Sequence, residues 1–114
     1  MDTEGLVDIS QIKDISEGDM DFERDIIEMY LMDTEERIQT IESLAASQNW
    51  DDLKREAHTL KGSSGNIGVK KTFSLCKNLE SACTEHDTGR VNQLISEIRH
   101  TAAGVKDYFT NYLG

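Results

Sequence analysis

The sequence of 114 residues contains no proline, two cysteines and no long apolar run. Without proline, nothing in the composition forces a break inside a long helix. No stretch of about 18 apolar residues is present, and no basic start precedes an apolar segment, so neither a membrane span nor a secretory signal is predicted. With 37% hydrophobic residues, the chain can build one compact core but is too short for two. We therefore expect a single cytoplasmic domain over residues 1–114.

The two cysteines, Cys76 and Cys83, are seven residues apart. On one helix this spacing corresponds to roughly 10 Å, which a disulfide cannot bridge. We expect both to be reduced thiols of the core.

Basic residues are few, and they are concentrated in one segment. The chain has 12 lysines and arginines against 22 acidic residues, for a net charge of −10. Residues 54–77 nevertheless carry six basic residues and one acidic residue, whereas residues 1–53 carry three and sixteen. The segment is either an ordinary solvated surface or a docking patch for an acidic partner. The strongly acidic remainder of the chain favours the docking patch and disfavours binding to nucleic acid or to anionic membranes.

Apolar residues recur at three- and four-residue spacing along nearly the whole chain, and no period-two stretch is evident. The pattern predicts a short helix at about 7–14 and long helices at about 20–46, 50–64, 69–86 and 90–112. Asp19 or Asp21 and Asn49 are the predicted N-caps of the first two long helices, and 87–89 is a predicted turn. The fold class is therefore all-α, an antiparallel up-and-down four-helix bundle with a short additional N-terminal helix. Core positions predicted on these helices include Ile12, Ile15, Ile27, Leu53, Ala57, Leu60, Phe73, Cys76, Leu79, Ile98 and either Phe109 or Tyr112.

The helix over 50–64 carries a histidine outside its apolar stripe. At 100° per residue, Ala57 and Leu60 face the core, whereas His58 lies on the same side as Lys54, Lys61, Gly62 and Gly65. Gly62 costs about 1 kcal/mol of helix stability relative to alanine, which suggests that a partner needs a bare surface there. Lys61 supplies a cation one turn from the imidazole. The alternative is that His58 is an ordinary surface histidine.

A solvent-facing neutral imidazole is a good nucleophile toward phosphorus, because one ring nitrogen keeps a lone pair at neutral pH. The other nitrogen should then carry the proton and donate it to an acceptor that fixes the tautomer. Glu80, on the next helix beside its apolar stripe, is a candidate for this acceptor. Its spacing is equally consistent with an exposed helix carboxylate.

The string from Ala57 to Ser64, Ala-His-Thr-Leu-Lys-Gly-Ser-Ser, is followed by a glycine-containing turn and by a helix containing Leu79-Glu80. Over about 20–112 the chain resembles the histidine-containing phosphotransfer (HPt) domain of multistep two-component signalling. The resemblance implies a phosphorelay intermediate that takes a phosphoryl group from the aspartate of one receiver domain and passes it reversibly to another. It makes His58 the phosphoacceptor, Lys61 the charge partner of the phosphoryl group and Gly62 the residue of close approach. Glu80 falls where some relatives place a glutamine that hydrogen-bonds the histidine.

In this interpretation the partners are response-regulator receiver domains, including those of hybrid histidine kinases. The predicted docking residues are Lys54, Arg55, Gly65, Ile67, Lys70 and Lys71, although Ile67 and the neighbouring Val69 are equally explained by turn packing. We expect no cofactor and no metal on this chain, and Mg²⁺ on the receiver partner. We also expect a monomer without kinase or phosphatase activity of its own. Met1 and the short acidic lead favour a free-standing chain.

Two further motifs are less consistent with the sequence. Residues 62–68 are rich in glycine and serine but lack the lysine and the preceding strand of a phosphate-binding P-loop. Cys83, His86 and His100 could share a metal ion, but a buried thiol and two surface histidines explain them better. The remaining functional alternative is a non-catalytic acidic helical-bundle adaptor in which His58 is incidental.

Overall fold

The computed structural model describes residues 6–114, so the first five residues, among them Met1, lie outside the described part of the chain. It contains five helices: α1 (Ile9–Ser16), α2 (Met20–Ala46), α3 (Trp50–Asn66), α4 (Lys70–Thr84) and α5 (Thr88–Leu113). Each long helix packs against the next one along the chain, and α5 packs back against α2. Residues 6–114 contain no strand. The predicted all-α bundle with a short N-terminal helix is confirmed.

Three of the helix starts, those of α1, α2 and α5, are capped by aspartate. Asp8 accepts a hydrogen bond from the backbone N–H of Ser10, Asp19 accepts one from Phe22, and Asp87 accepts one from Arg90. Asp87 thus caps α5, which begins at Thr88, two residues earlier than predicted. Asn49 precedes α3 as predicted but makes no cap hydrogen bond. Its side-chain amide instead donates to the carboxylate of Asp52, so the first turn of α3 is closed through side chains.

The core consists of two apolar clusters with hydroxyl residues between them. The larger cluster includes Ile38 and Leu60, and the smaller one includes Tyr30 and Val105. On each long helix, one buried hydroxyl residue separates the members of the two clusters along the sequence: Thr34, Ser64, Thr72 and Thr101. The phenol of Tyr30 and the hydroxyl of Ser64 share a hydrogen bond of 2.8 Å. The hydroxyl of Thr34, in contrast, has no partner among the described residues.

Helix α1 closes the end of the bundle at the α3–α4 turn. The backbone N–H of Asp8 donates to the carbonyl of Gly68 at 2.8 Å, and the Gln11 amide donates to the carbonyl of Gly65 at 3.0 Å. Gly68 has a φ of +84°, and a Cβ added there would lie 2.5 Å from the carbonyl oxygen of Asp8. Only glycine fits at this junction, because any side chain would push α1 away.

Two apolar positions differ from the sequence-based expectation, and a third choice is settled. Ile15 and Phe73, both predicted core residues, are exposed, and of the two alternatives at the end of α5, Phe109 is buried while Tyr112 is exposed. Ile15 lies in the last turn of an eight-residue helix that covers only the end of the bundle, so one side of α1 remains open to solvent. Phe73 lies at the edge between α3 and α4 rather than inside the four-helix core.

We predict that Thr34→Val stabilises the fold. Thr34 is buried, and its unpartnered hydroxyl carries a desolvation penalty that valine removes at similar volume. The free energy of unfolding from urea denaturation should rise by up to about 1 kcal/mol. Ser64→Ala is the matched control: it should lower stability because the phenol of Tyr30 loses its partner. A Thr34→Val protein that is clearly less stable than the wild type would show that the hydroxyl of Thr34 does not carry this penalty.

Candidate functional site

The α3–α4 hairpin brings three pairs of positions together along one outer face. Lys54 donates to the hydroxyl of Thr84 at 2.8 Å, His58 lies 2.9 Å from Glu80, and Gly65 packs against Phe73. Positions later on α3 pair with positions earlier on α4, as expected for two antiparallel helices. His58 and Glu80 therefore meet midway along the hairpin.

The imidazole of His58 faces solvent, with 69% of the side chain exposed. Ala57 and Leu60, one residue before and two residues after it, are fully buried. Its Nδ1 lies 2.9 Å from Oε1 of Glu80. An ionised carboxylate can only accept a hydrogen bond, so the proton of the neutral ring belongs on Nδ1. This arrangement leaves the lone pair on Nε2. The predicted acceptor role of Glu80 thus has the required geometry.

The carboxylate of Glu80 is much less exposed than the imidazole, at 15% of the side chain. Burial raises the pKa of Glu80, but the hydrogen bonds and charges of Lys61 and His58 outweigh burial and lower it below the usual value. Glu80 is therefore ionised at neutral pH. Each carboxylate oxygen has one partner, His58 for Oε1 and Lys61 for Oε2. The carboxylate is therefore fixed in position and in turn fixes the orientation of the imidazole ring.

Lys61 is bound to Glu80 rather than extended into solvent. Its Nζ lies 2.7 Å from Oε2 of Glu80, and the side chain is only 22% exposed. The sequence places Lys61 near His58, and the structure adds that the two share one carboxylate. Beneath them lies Cys76, fully buried on α4. Burial raises the pKa of the Cys76 thiol to about 12, so this cysteine remains protonated and unreactive.

The two glycines on this face have different structural environments. A Cβ added at Gly62 would meet no heavy atom within 4 Å outside its own helix backbone, so packing within the chain gives no reason for a glycine there. At Gly65 the added Cβ would come within 3.0 Å of the Phe73 ring. Gly65, predicted as a docking residue, therefore serves the packing of α3 on α4. The sequence does not reveal Phe73 as a surface residue, because its spacing from Cys76 matches a core stripe.

The predicted basic docking residues divide between two sides of the bundle. Lys54 and the highly exposed Arg55 lie on α3 within one turn of His58, with Arg55 paired to Asp52. Lys70 begins α4, near Asp8. Lys71 instead borders a surface groove between α4 and α5, together with His100 and Thr101. Lys71 thus borders a different face of α4 from Lys70, because a shift of one residue turns a helix by 100°, and its role in docking stays a prediction.

The burial of Ile67 contradicts the prediction that this residue offers a docking contact. Ile67 is buried, and Val69 beside it is fully buried, both in the smaller core cluster with Val7 and Ile12. The turn-packing alternative explains both residues. Both residues are buried because α1 covers the α3–α4 turn, which would otherwise be exposed at the end of the bundle.

The competing motifs find no support in the described residues. Residues 62–66 are helical, so the glycine- and serine-rich segment does not form a phosphate-binding loop. Within residues 6–114, no three histidine, cysteine or acidic side chains converge as metal ligands. The ring of His86 stacks on Trp50 at a centroid distance of 5.2 Å. No helix of the described chain has the length and apolarity needed to cross a membrane.

The fold and the site together define a helical bundle whose exposed reactive group is one oriented histidine. The family model described as Hpt domain matches residues 25–108, most of the chain. The chain belongs to the Hpt domain family.

Individual relatives agree with this assignment. The phosphorelay intermediate protein YPD1 of Candida albicans is 28% identical over 80 residues, which is 68% of this chain and 44% of that protein. The chain thus spans less than half the length of this curated relative.

Two solved structures share the fold. Histidine-containing phosphotransfer protein B from Pseudomonas aeruginosa PAO1 has a TM-score of 0.90 at 23% identity, covering 96% of both chains. A putative histidine-containing phosphotransfer protein from rice has a TM-score of 0.89 at 22% identity, covering 97% of this chain and 81% of that one.

We predict that Glu80→Gln makes the fold less sensitive to acid. Because the pKa of Glu80 is lowered in the folded protein, its stabilising contribution is present above the ordinary carboxyl pKa of 4.5 and is lost as the pH falls through the lowered value. Urea denaturation between about pH 6 and pH 3 should therefore show a smaller loss of stability in Glu80→Gln than in the wild type. Glu85→Gln, at an exposed position, should keep the wild-type slope. Equal slopes in all three proteins would contradict the pairing of Glu80.

Proposed function

We propose that this chain is a phosphorelay intermediate. His58 accepts a phosphoryl group from the aspartyl phosphate of a response-regulator receiver domain and passes it reversibly to the aspartate of another receiver. The observation that carries the proposal is the exposed imidazole, whose Nδ1 is held by Glu80 at 2.9 Å while Nε2 points away from that contact. Membership of the Hpt domain family supports the same chemistry.

The transfer step uses the Nε2 lone pair. Nε2 forms a bond to phosphorus while the bond between phosphorus and the donor carboxylate oxygen breaks, and that electron pair stays on the donor aspartate. The ring keeps its Nδ1 proton and gains a positive charge, which the carboxylate of Glu80 stabilises. In the onward step a second aspartate attacks phosphorus, and the electrons of the N–P bond return to Nε2. Positioning and charge stabilisation supply most of such a catalytic effect.

The surface around His58 suits a receiver that brings acidic groups. Lys54 and Arg55 lie within one turn of His58 on α3, and Lys77 precedes Glu80 by one turn on α4. Receiver active sites would then supply the carboxylates and the Mg²⁺ that this chain is not expected to hold. The bare helix surface at Gly62 and the exposed edge of Phe73 complete a flat face on which a second protein can approach the imidazole closely.

In this function the chain transfers a group without kinase or phosphatase activity of its own. We propose that it acts as a monomer in the cytoplasm, with receivers that include those of hybrid histidine kinases. A non-catalytic adaptor would give no physical reason for an exposed histidine, a partly buried glutamate and a lysine joined through one carboxylate.

His58→Gln should abolish acceptance of the phosphoryl group. Glutamine keeps a similar size and polarity at an exposed position but lacks the nucleophilic ring nitrogen, so the fold should be unchanged. The chain is incubated with a ³²P-phosphorylated receiver domain and Mg²⁺, and acid-labile, base-stable label is counted. His86→Gln and His100→Gln serve as controls and should accept label like the wild type. Label that persists in His58→Gln would rule out His58 as the acceptor.

Gly62→Gln should slow the transfer at least roughly tenfold, because a side chain four residues after His58 covers the imidazole and keeps the partner away. Since a Cβ at this position meets nothing outside its helix, the thermal midpoint should not fall. Gly62→Ala is the size control and should transfer at close to the wild-type rate. A wild-type rate in Gly62→Gln would mean that the glycine has no role in access.

A further inference from the structure

A groove of about 570 Å³ lies between α2 and α5. The four long helices pack in a ring in chain order, and α5 closes the ring against α2. The groove therefore lies on the opposite side of the bundle from the α3–α4 face that carries His58 and Glu80. Its volume falls in the range of sites that bind small molecules, which is roughly 300–1,000 Å³. The proposed phosphoryl transfer uses none of the residues that line it.

The groove is short, deep and mostly apolar. Along α2 it extends over residues 30–36, which is roughly 10 Å of helix. It reaches inward as far as Tyr30 and Thr34, both of which are buried. Its walls are formed by the apolar side chains Leu31, Met32, Ala102, Ala103 and Val105. Because an α-helix with its side chains is itself about 10 Å wide, a groove of this length and depth suits a small molecule better than a helix of another protein.

A buried hydroxyl lies at the floor of the groove. Thr34 lines the groove, is only 5% exposed, and its hydroxyl makes no hydrogen bond to any described residue. Threonine in a helix has two accessible side-chain rotamers, so the hydroxyl can turn from the core toward the groove. A buried hydroxyl without a partner carries a desolvation penalty. A ligand that offers a hydrogen-bonding group at this depth would remove that penalty.

One lysine at the rim of the groove has no ion-pair partner among the described residues. Arg99, also at the rim, is bound by the carboxylates of Glu35 and Glu42. In contrast, none of the ion pairs within residues 6–114 involves Lys106, whose side chain is exposed. Lys106 is therefore free to pair with a negative charge on a ligand.

The two ends of the groove differ in charge. Tyr30 lies against Phe109, so the end of the groove near Tyr30 contains Lys106. The other end contains Arg99, which is already paired, and the exposed carboxylate of Glu36. An anionic group on a ligand is therefore attracted to the first end and repelled from the second. The ligand that fits best has its negative charge at one end of an apolar body.

We propose that the α2–α5 groove binds a small apolar carboxylate whose chain carries a hydroxyl or carbonyl group. The carboxylate pairs with Lys106 at the rim, and the apolar chain lies along Ala102, Ala103 and Val105. The polar group on the chain forms a hydrogen bond with the hydroxyl of Thr34. This binding site is independent of the phosphoryl transfer proposed for His58.

The site is tested by ¹H–¹⁵N NMR titration of the full chain with probes of one chain length: 3-hydroxyoctanoate, octanoate, 1-octanol and octylammonium. We expect saturable shifts of the backbone amides of residues 30–36 and 99–106, but not of His58. The dissociation constant for octanoate should be about 1 mM. 3-Hydroxyoctanoate should bind about threefold more tightly, and 1-octanol and octylammonium should bind more weakly than octanoate.

Two results of this titration would overturn the proposal. The first is the absence of a saturable shift with either carboxylate, or equal binding of octylammonium and octanoate. The second is a shift of the same amides when the protein alone is diluted, because it would identify a second copy of the chain as the occupant of the groove.

Three variants separate the contributions to binding. Lys106→Gln should weaken octanoate about threefold and leave 1-octanol unchanged. Thr34→Val should remove the advantage of 3-hydroxyoctanoate over octanoate. Ala103→Trp, at an exposed position, should cover the groove and weaken all four probes. Lys71→Gln changes a lysine of the groove between α4 and α5 and should bind every probe like the wild type.

These variants also show which results would refute the assigned contacts. Wild-type affinity for octanoate in Lys106→Gln would rule out the pairing of the carboxylate with this lysine. An advantage of 3-hydroxyoctanoate that persists in Thr34→Val would rule out the hydrogen bond at the floor. Wild-type binding of all probes in Ala103→Trp would place the ligand outside the groove. Each of these results would overturn the proposal.

Discussion

The site depends on one partly buried carboxylate. Glu80 joins α4 to two residues of α3, and through these contacts it sets the tautomer of the ring and the position of the lysine. A carboxylate with 15% of its side chain exposed is screened less than a surface group, so its ion pair holds a defined geometry where most surface pairs do not. The rest of the bundle serves to keep α3 and α4 in the register that this contact requires.

That register has several independent supports. Gly65 lets the Phe73 ring approach α3 closely, and Gly68 lets the turn accept the end of α1. The hydroxyls of Tyr30 and Ser64 tie α2 to α3 between the two apolar clusters. A helix that slid by one turn would place a different residue opposite His58. Each of these contacts therefore also maintains the hydrogen bond between His58 and Glu80. These contacts hold α3 and α4 in one register at the position of the histidine, although the histidine itself is exposed.

Helix periodicity accounts for what the sequence could predict. It gives the helices to within about two residues, the exposure of His58 and the place of Glu80 beside the apolar stripe of the next helix, because these depend on the pattern within one helix. Contacts between helices could not be predicted in this way. The Lys61–Glu80 pair, the packing of Phe73 on Gly65, the burial of Ile67 under α1 and the turning of Lys71 toward α5 all depend on how the helices are aligned in space, which composition and periodicity do not determine.

The central claim is that the phosphoryl group is carried by Nε2 of His58, because Glu80 occupies Nδ1. The most direct measurement is ¹⁵N–³¹P correlation NMR on the ¹⁵N-labelled chain after phosphorylation. We expect a one-bond coupling between phosphorus and Nε2 of His58, with Nδ1 still protonated. Coupling to Nδ1, or to a nitrogen of His86 or His100, would contradict the account.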